Sequence, residues 1–339
     1  MKFPNSLEKG DIIGVCAPSS GVIGRFLEKL DNSIDYFKSK GYRILETSSV
    51  RRNFKTTSNS AEERAKEFMG LYENPEVKAI IPPWGGELLM EMLPFLDYDK
   101  LSTLEPKWIL GFSDTSTLLF SLSTKLRLST AHGPNFMDFG FKFVDESVEN
   151  VLKILECKYV FTQNNLPLYQ SKWSDDFDKS IEKYDLDTPS IWKTLNDETK
   201  LELHGRLIGG CMDVLTHLIG TPYEDIKGFI DAYKDDGFIW FLESCEMKSP
   251  DIYITLWQMK QCGWFNHCNG ILYGRCEGYS DVDDFTHVDA FDRVFNDLNI
   301  PVIYDVDLGH KPPQLTFLTG AYCDVFYENG KATIIQKFK

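Results

Sequence analysis

Residues 107–120 read Lys107-Trp108-Ile109-Leu110-Gly111-Phe112-Ser113-Asp114-Thr115-Ser116-Thr117-Leu118-Leu119-Phe120. The first half, following Pro106, is a short apolar run that predicts a buried strand. The second half opens on Asp114, Thr115 and Ser116 and continues apolar, which predicts a helix with a polar first turn. Gly111 lets the backbone turn sharply between them and leaves Ser113 at the apex, where the positive end of the helix favours developing negative charge. Those are the requirements of a nucleophile elbow. The pattern is Gly-x-Ser-x-Thr without the second Gly of the usual hydrolase signature, so a strand end with Ser113 as helix N-cap fits it equally well.

The preceding residues repeat this alternation. Asp11–Ala17 is an apolar run ending in Pro18-Ser19-Ser20-Gly21. Phe26, Leu27, Leu30, Ile34 and Phe37 then recur at helical spacing until Gly41. Tyr42–Thr47 predicts a second strand, and Ser60 with Glu63 forms a capping box that opens a helix running through Tyr72. Val77–Ile81 predicts a third strand, stopped by Pro82-Pro83-Trp84-Gly85-Gly86, with a helix around Leu88, Leu89 and Met92. Four such alternations predict an open, largely parallel α/β sheet. Ligands of such sheets bind beyond the carboxyl ends of the strands. The loops to watch there are Pro18–Gly21, Trp84-Gly85-Gly86 and the Ser113 turn. Gly85-Gly86 leaves backbone N–H groups unshielded and suits half of an oxyanion hole, the Asp114 N–H supplying the other half. A plain tight turn explains the same glycines. No dinucleotide or phosphate-loop fingerprint is present.

With 339 residues the chain is long enough for two cores. A formal charge of −15, with Lys and Arg scattered, argues against a nucleic-acid partner. No apolar run reaches the ~18 residues of a membrane span. Met1–Lys9 lacks the apolar core of a secretory signal, so a cytoplasmic protein is expected. Eight cysteines lie mostly inside apolar runs, which predicts free thiols. Cys262, His267, Cys268 and Cys276 invite a zinc reading, but they lack a Cys-x-x-Cys pair and the expectation is no metal and no cofactor.

Residues 165–198 turn acidic and irregular, which predicts a linker or functional loop. Within it, Trp173 and Trp192 either anchor the loop or stack on a flat ligand. The boundaries drawn are an N-terminal α/β domain over 1–165, a linker over 166–198 and a C-terminal domain over 199–339. The second half continues with strands at Leu201–Leu207, Phe238–Leu242, Gly270–Arg275 and Pro301–Val306, and it closes with a hairpin around Glu328-Asn329-Gly330. Glu243 stands at the mouth of a very apolar strand, where a carboxylate must face solvent or be paired. Of six histidines, His132 and His310 stand beside Gly at the end of apolar runs, where catalytic loops lie.

Taken together, the chain resembles the LD-carboxypeptidase family of serine peptidases, and within it the branch of microcin C immunity peptidases. The resemblance rests on Gly10–Ser20, Ala61-Glu62-Glu63-Arg64-Ala65, Gly85-Gly86, Leu96-Asp97-Tyr98-Asp99 and Gly111–Thr115. It continues through His132-Gly133-Pro134, Gly205–Gly210, Leu242-Glu243 and Gly309-His310. It implies a flavodoxin-like parallel sheet domain followed by an α/β domain with a β-rich swivelling-type core. It also implies a Ser-Glu-His triad at Ser113, Glu243 and His310, backbone oxyanion donors at Gly86 and Asp114, and a homodimer. The substrate-facing positions are then Trp84, Gly85, Cys211, Lys248, Trp173 and Trp192, with Lys248 suited to a substrate carboxylate. Cys211 stands where relatives of this type usually have Asn, and Trp84 where they often carry other residues. Two amides fit the resemblance: one joining an acidic aminoacyl group to a sulfamoyl- or phosphoramide-adenylate, or the L,D bond that releases terminal D-Ala from a murein tetrapeptide. A two-domain small-ligand binding protein and a general esterase are the readings of other classes.

Overall fold

The computed structural model describes residues 1–173 and 176–339, so Ser174 and Asp175 of the acidic stretch lie outside the described residues, as do the side chains at 177, 179 and 180. The chain forms two compact units, Met1–Lys158 with Trp173–Tyr184, and Tyr159–Lys172 with Asp185–Lys339. The stretch expected as one linker is therefore shared out. Residues 173–184 belong to the first unit, where the Tyr184 ring packs edge-on at 4.6 Å from Phe141 and its hydroxyl donates to Asp138 (3.2 Å).

In the first unit, strands β1 (Ile12–Val15), β2 (Arg43–Glu46), β3 (Val77–Ile80), β4 (Trp108–Gly111) and β5 (Ala131–His132) run parallel in the order β2-β1-β3-β4-β5. That is the flavodoxin-like order expected, and its switch point lies between β1 and β3. β1 and β4 are buried at every residue, as strands covered on both faces must be, which explains their unbroken apolar runs. The helix over Ala61–Glu73 starts where the capping box predicts, with the Ser60 hydroxyl accepting from the Glu63 N–H. The helix expected around Leu88, Leu89 and Met92 is present as Leu89–Phe95, of 3₁₀ type. It forms 3₁₀ turns around Pro94, whose missing N–H and fixed ring are incompatible with a regular α ladder.

The second unit is built on an eight-stranded sheet in the order Val160–Asn164, Lys331–Lys337, Tyr322–Glu328, Lys200–Cys211, Phe238–Glu243, Cys268–Gly274, Val302–Val306, Lys193–Thr194. The four strands from Lys200–Cys211 to Val302–Val306 are parallel, and the flanking strands pair antiparallel. The terminal hairpin turns at Asn329-Gly330, both at positive φ (48° and 85°), which matches the twist of the strands it joins. No helix among the described residues is long and apolar enough to cross a membrane.

One buried ionic hub ties the irregular segments of this unit to its sheet. Asp307, fully buried, accepts from Arg275 Nη1 (2.7 Å), Ser190 Oγ (2.6 Å), Trp192 Nε1 (3.0 Å) and the Leu166 N–H (2.7 Å). Asp307→Asn keeps the shape but leaves the Arg275 charge buried and unpaired. It is expected to cost about 3–5 kcal/mol, read as a lower urea midpoint; an unchanged midpoint would refute the charge-pair account.

Candidate active site

Ser113 has φ = 60°, a left-handed conformation rare for a residue with a Cβ. It stands two residues after the end of β4, past Phe112, and the helix Thr115–Leu126 starts two residues later with Asp114, not Ser113, in the N-cap position. Of the two readings open for this stretch, the strained elbow is the one the backbone adopts. Asp114 then joins three loops. Its buried carboxylate accepts from Ser19 Oγ (2.5 Å), the Leu89 N–H (2.9 Å) and Thr117 Oγ1 (3.4 Å). Burial pushes this carboxyl above its ordinary range, and the hydrogen bonds and the Arg64 charge oppose that rise. Arg64, itself buried, donates to the Pro18 carbonyl (2.7 Å) and the Leu88 carbonyl (2.9 Å) and pairs with Glu91 (2.6 Å). Ser20 N–H donates to the Gly85 carbonyl (3.2 Å), and Trp84 Nε1 to the Ser20 carbonyl (3.1 Å). The three loops singled out from the sequence are therefore bonded to one another, at the carboxyl ends of β1, β3 and β4.

Gly85 lies against the serine. A Cβ there would stand 2.8 Å from Ser113 Cβ and 2.9 Å from the Asp114 nitrogen. Gly85→Ala must push the serine or its loop aside. A displacement of this kind costs about 10²-fold in rate, with circular dichroism unchanged; a wild-type rate in that variant would show that the loop yields freely. Neither the Gly86 nor the Asp114 backbone N–H donates to an acceptor among the described residues, as an oxyanion donor requires. His132 is buried in β5, 3.4 Å from Ser116 Oγ within the first unit's packing.

The second unit supplies the other chemistry. Phe238–Glu243 is buried throughout and delivers Glu243 at its carboxyl end, in register with Cys211 at the end of the neighbouring parallel strand. Glu243 Oε2 lies 2.8 Å from His310 Nδ1, with the carboxylate fully buried and the imidazole partly exposed. Gly309 makes this approach possible. At φ = 94°, a Cβ on it would stand 2.6 Å from Glu243 Oε2. Burial disfavours the imidazolium, but the Glu243 charge and the hydrogen bonds to Cys245 and Glu243 outweigh it and hold His310 well above its ordinary value. Burial raises the Cys211 thiol well above its usual range, and the charges of Glu243 and Asp213 add to that. Asp213 braces the loop past Glu243 by accepting from the Cys245 N–H (2.8 Å), the Glu246 N–H (3.1 Å) and Cys211 Sγ (3.4 Å).

The remaining expected positions divide. Trp192 is fully buried in the second unit's core with its indole N–H on Asp307, so it has no face for a ligand and anchors its loop instead. Trp173 is 43% exposed, edge-on to Tyr184 in the first unit. Lys248 is exposed just ahead of the helix Ser249–Gln261. The suspected zinc group stays apart: Cys262 is exposed, Cys268 Sγ donates to the Gly270 carbonyl (3.4 Å), and Cys276 lies beside Ser244. Sequence reasoning missed Lys311, although it adjoins His310. It lines a cavity of about 170 Å³ with Tyr169, Tyr273, Arg275, Tyr279 and Tyr304, and makes no ion pair among the described residues.

The first unit holds a strained serine beside N–H groups that meet no acceptor among the described residues, and the second unit holds a carboxylate–imidazole pair; each is a group type that acyl transfer uses. Two family profiles match the chain, the LD-carboxypeptidase N-terminal domain over residues 13–133 and the LD-carboxypeptidase C-terminal domain over residues 204–325. The microcin C7 self-immunity protein MccF of Escherichia coli is 27% identical, the alignment covering 98% of this chain and 95% of that protein. A Vibrio cholerae protein with a provisional carboxypeptidase name is also 27% identical, over 97% of this chain and 96% of its own length. The solved structure of MccF in complex with aspartyl sulfamoyl adenosine superimposes with a TM-score of 0.83 at 25% identity, covering 98% of this chain and 97% of that one.

Proposed function

The chain belongs to the LD-carboxypeptidase family of serine peptidases and is a serine carboxypeptidase-type enzyme, and from that premise we propose a Ser113-Glu243-His310 triad acting on an acidic aminoacyl-nucleotide amide. The 2.8 Å bond between Glu243 and His310, at the end of a wholly buried strand, is the observation that carries this reading. In it, the imidazole accepts the Ser113 proton as the hydroxyl attacks the amide carbonyl. Glu243 fixes the tautomer that leaves Nε2 as acceptor and stabilises the imidazolium that forms. The Gly86 and Asp114 N–H groups stabilise the tetrahedral oxyanion, each worth about 10²–10³ in rate. His310 then returns the proton to the leaving nitrogen, and water releases the acyl group by the same route.

The acidic side chain of the aminoacyl group is assigned to Lys311, a cation beside the base with no carboxylate partner among the described residues. This replaces the role first expected of Lys248. The MccF complex supports the aminoacyl-nucleotide class. The murein reading also has a relative in its favour, a Bacillus subtilis protein named as a probable murein peptide carboxypeptidase, 24% identical over 94% of this chain. Incubation with aspartyl-sulfamoyl adenosine and with a murein tetrapeptide, followed by mass spectrometry, separates them. Release of aspartate supports the proposal, release of D-Ala replaces it with wall-peptide trimming, and tight binding without turnover returns the binding-protein reading. Cytoplasmic location and a homodimer complete the proposal on the strength of the family resemblance, and light scattering tests the second.

A further inference from the structure

Cys211 Sγ, a Glu243 carboxylate oxygen and a His310 ring nitrogen all lie within 4.8 Å of one another, the one such group of potential metal ligands among the described residues. We propose that this cluster is a binding site for a borderline-soft divalent cation of the zinc class, and that occupancy switches the hydrolase off.

The donor set is one thiolate, one imidazole nitrogen and one carboxylate oxygen, which zinc binds in tetrahedral sites with water as the fourth ligand. A hard cation such as magnesium, which takes oxygen ligands, finds one oxygen donor where it needs several. The placement comes from the backbone. Cys211 and Glu243 end adjacent parallel strands in register, and Gly309 brings His310 against the carboxylate. Cys211 and Glu243 end strands and His310 stands on the bend that follows Val302–Val306, so shifts of about an ångström suffice to close the cluster to metal-bond lengths. Cys245, which hydrogen-bonds His310, is a second thiol at the rim. On binding, the cation sheds waters, the Cys211 thiol releases its proton to solvent, the imidazole changes tautomer so that the proton shared with Glu243 at Nδ1 is carried at Nε2 instead, and the lone pairs so freed on Nδ1 and on the Glu243 carboxylate become metal bonds. The Glu243–His310 hydrogen bond is lost in the process. The inhibitory half of the inference rests on the triad proposed above; the binding half does not.

Cobalt(II), a spectroscopic stand-in for zinc, tests the binding half on the Ser113→Ala protein, where no turnover intervenes. One cobalt per chain with a thiolate-to-metal charge-transfer band is expected. Cys211→Ser, which keeps size and shape, should remove the band and weaken binding at least about tenfold, since even loss of an outer hydrogen bond to a ligand costs 10–100-fold. Cys245→Ser should retain the band. No binding, or a band that persists in Cys211→Ser, overturns the site. Zinc titration of the hydrolytic rate tests the switch: wild type should lose activity as zinc fills the site, and Cys211→Ser should keep its own metal-free rate. Zinc binding with undiminished hydrolysis would leave the metal site standing and refute its regulatory role. Absence of hydrolysis without metal, alongside normal cobalt binding, would refute the triad reading and the switch, leaving the site itself.

Discussion

In the Ser113→Ala protein, hydrolysis of a substrate amide is expected to fall by about 10⁴–10⁶-fold, the scale of nucleophile loss in serine peptidases. The fold should be indifferent to the change. Alanine keeps the Cβ and therefore the same left-handed strain at φ = 60°, and the loops remain tied through the Asp114 carboxylate and Arg64. Unfolding midpoints of the two proteins should coincide, so that lost turnover reports the missing hydroxyl alone. Substrate binding should survive, because the cavity lined by Lys311 is untouched. Full activity in this variant would end the case for a serine nucleophile.

Glu243→Gln is expected to cost about 10³–10⁴-fold, less than loss of Ser113, because in the proposed triad the carboxylate acts through the imidazole rather than on the substrate. Its second signature is the pH profile. The base must be neutral to accept a proton, and His310 is held well above its ordinary value. In wild type, kcat/KM therefore rises with pH across an acid limb above the free-imidazole range near 6.5. Glutamine removes the charge that favours the imidazolium while burial, which disfavours it, remains. The limb should move to lower pH as the plateau falls. A profile that stays in place when Glu243 is neutralised would mean that another group governs the titration.

How far a sequence reaches is clearest in single residues. The Ser60 cap could be named in advance because its partner lies three residues away. The helix expected around Leu88, Leu89 and Met92 forms as a 3₁₀ helix, with Pro94 inside it. Trp192 is instructive for a different reason. An aromatic in an irregular acidic stretch has the same sequence signature whether it is exposed or buried, and its burial is decided by Asp307, 115 residues away.

From the order of its residues alone, this protein reads as an acidic α/β chain with a candidate nucleophile, Ser113, at a strand–helix turn. The alternation of apolar strands and helices, the polar first turn after Gly111 and the absence of phosphate loops are local signals. So was the family pattern, carried by short motifs in a fixed order. What tertiary structure decided were the relations between distant residues: that Asp114 fastens the loops after β1 and β3 to the elbow, that Gly85 is small because Ser113 lies against it, and that Glu243, 67 residues from His310, is paired with it. It also placed Cys211 level with Glu243. Periodicity is set by neighbours along the chain, whereas desolvation, charge pairing and ligand geometry are set by neighbours in space, and only the register of a folded sheet supplies those.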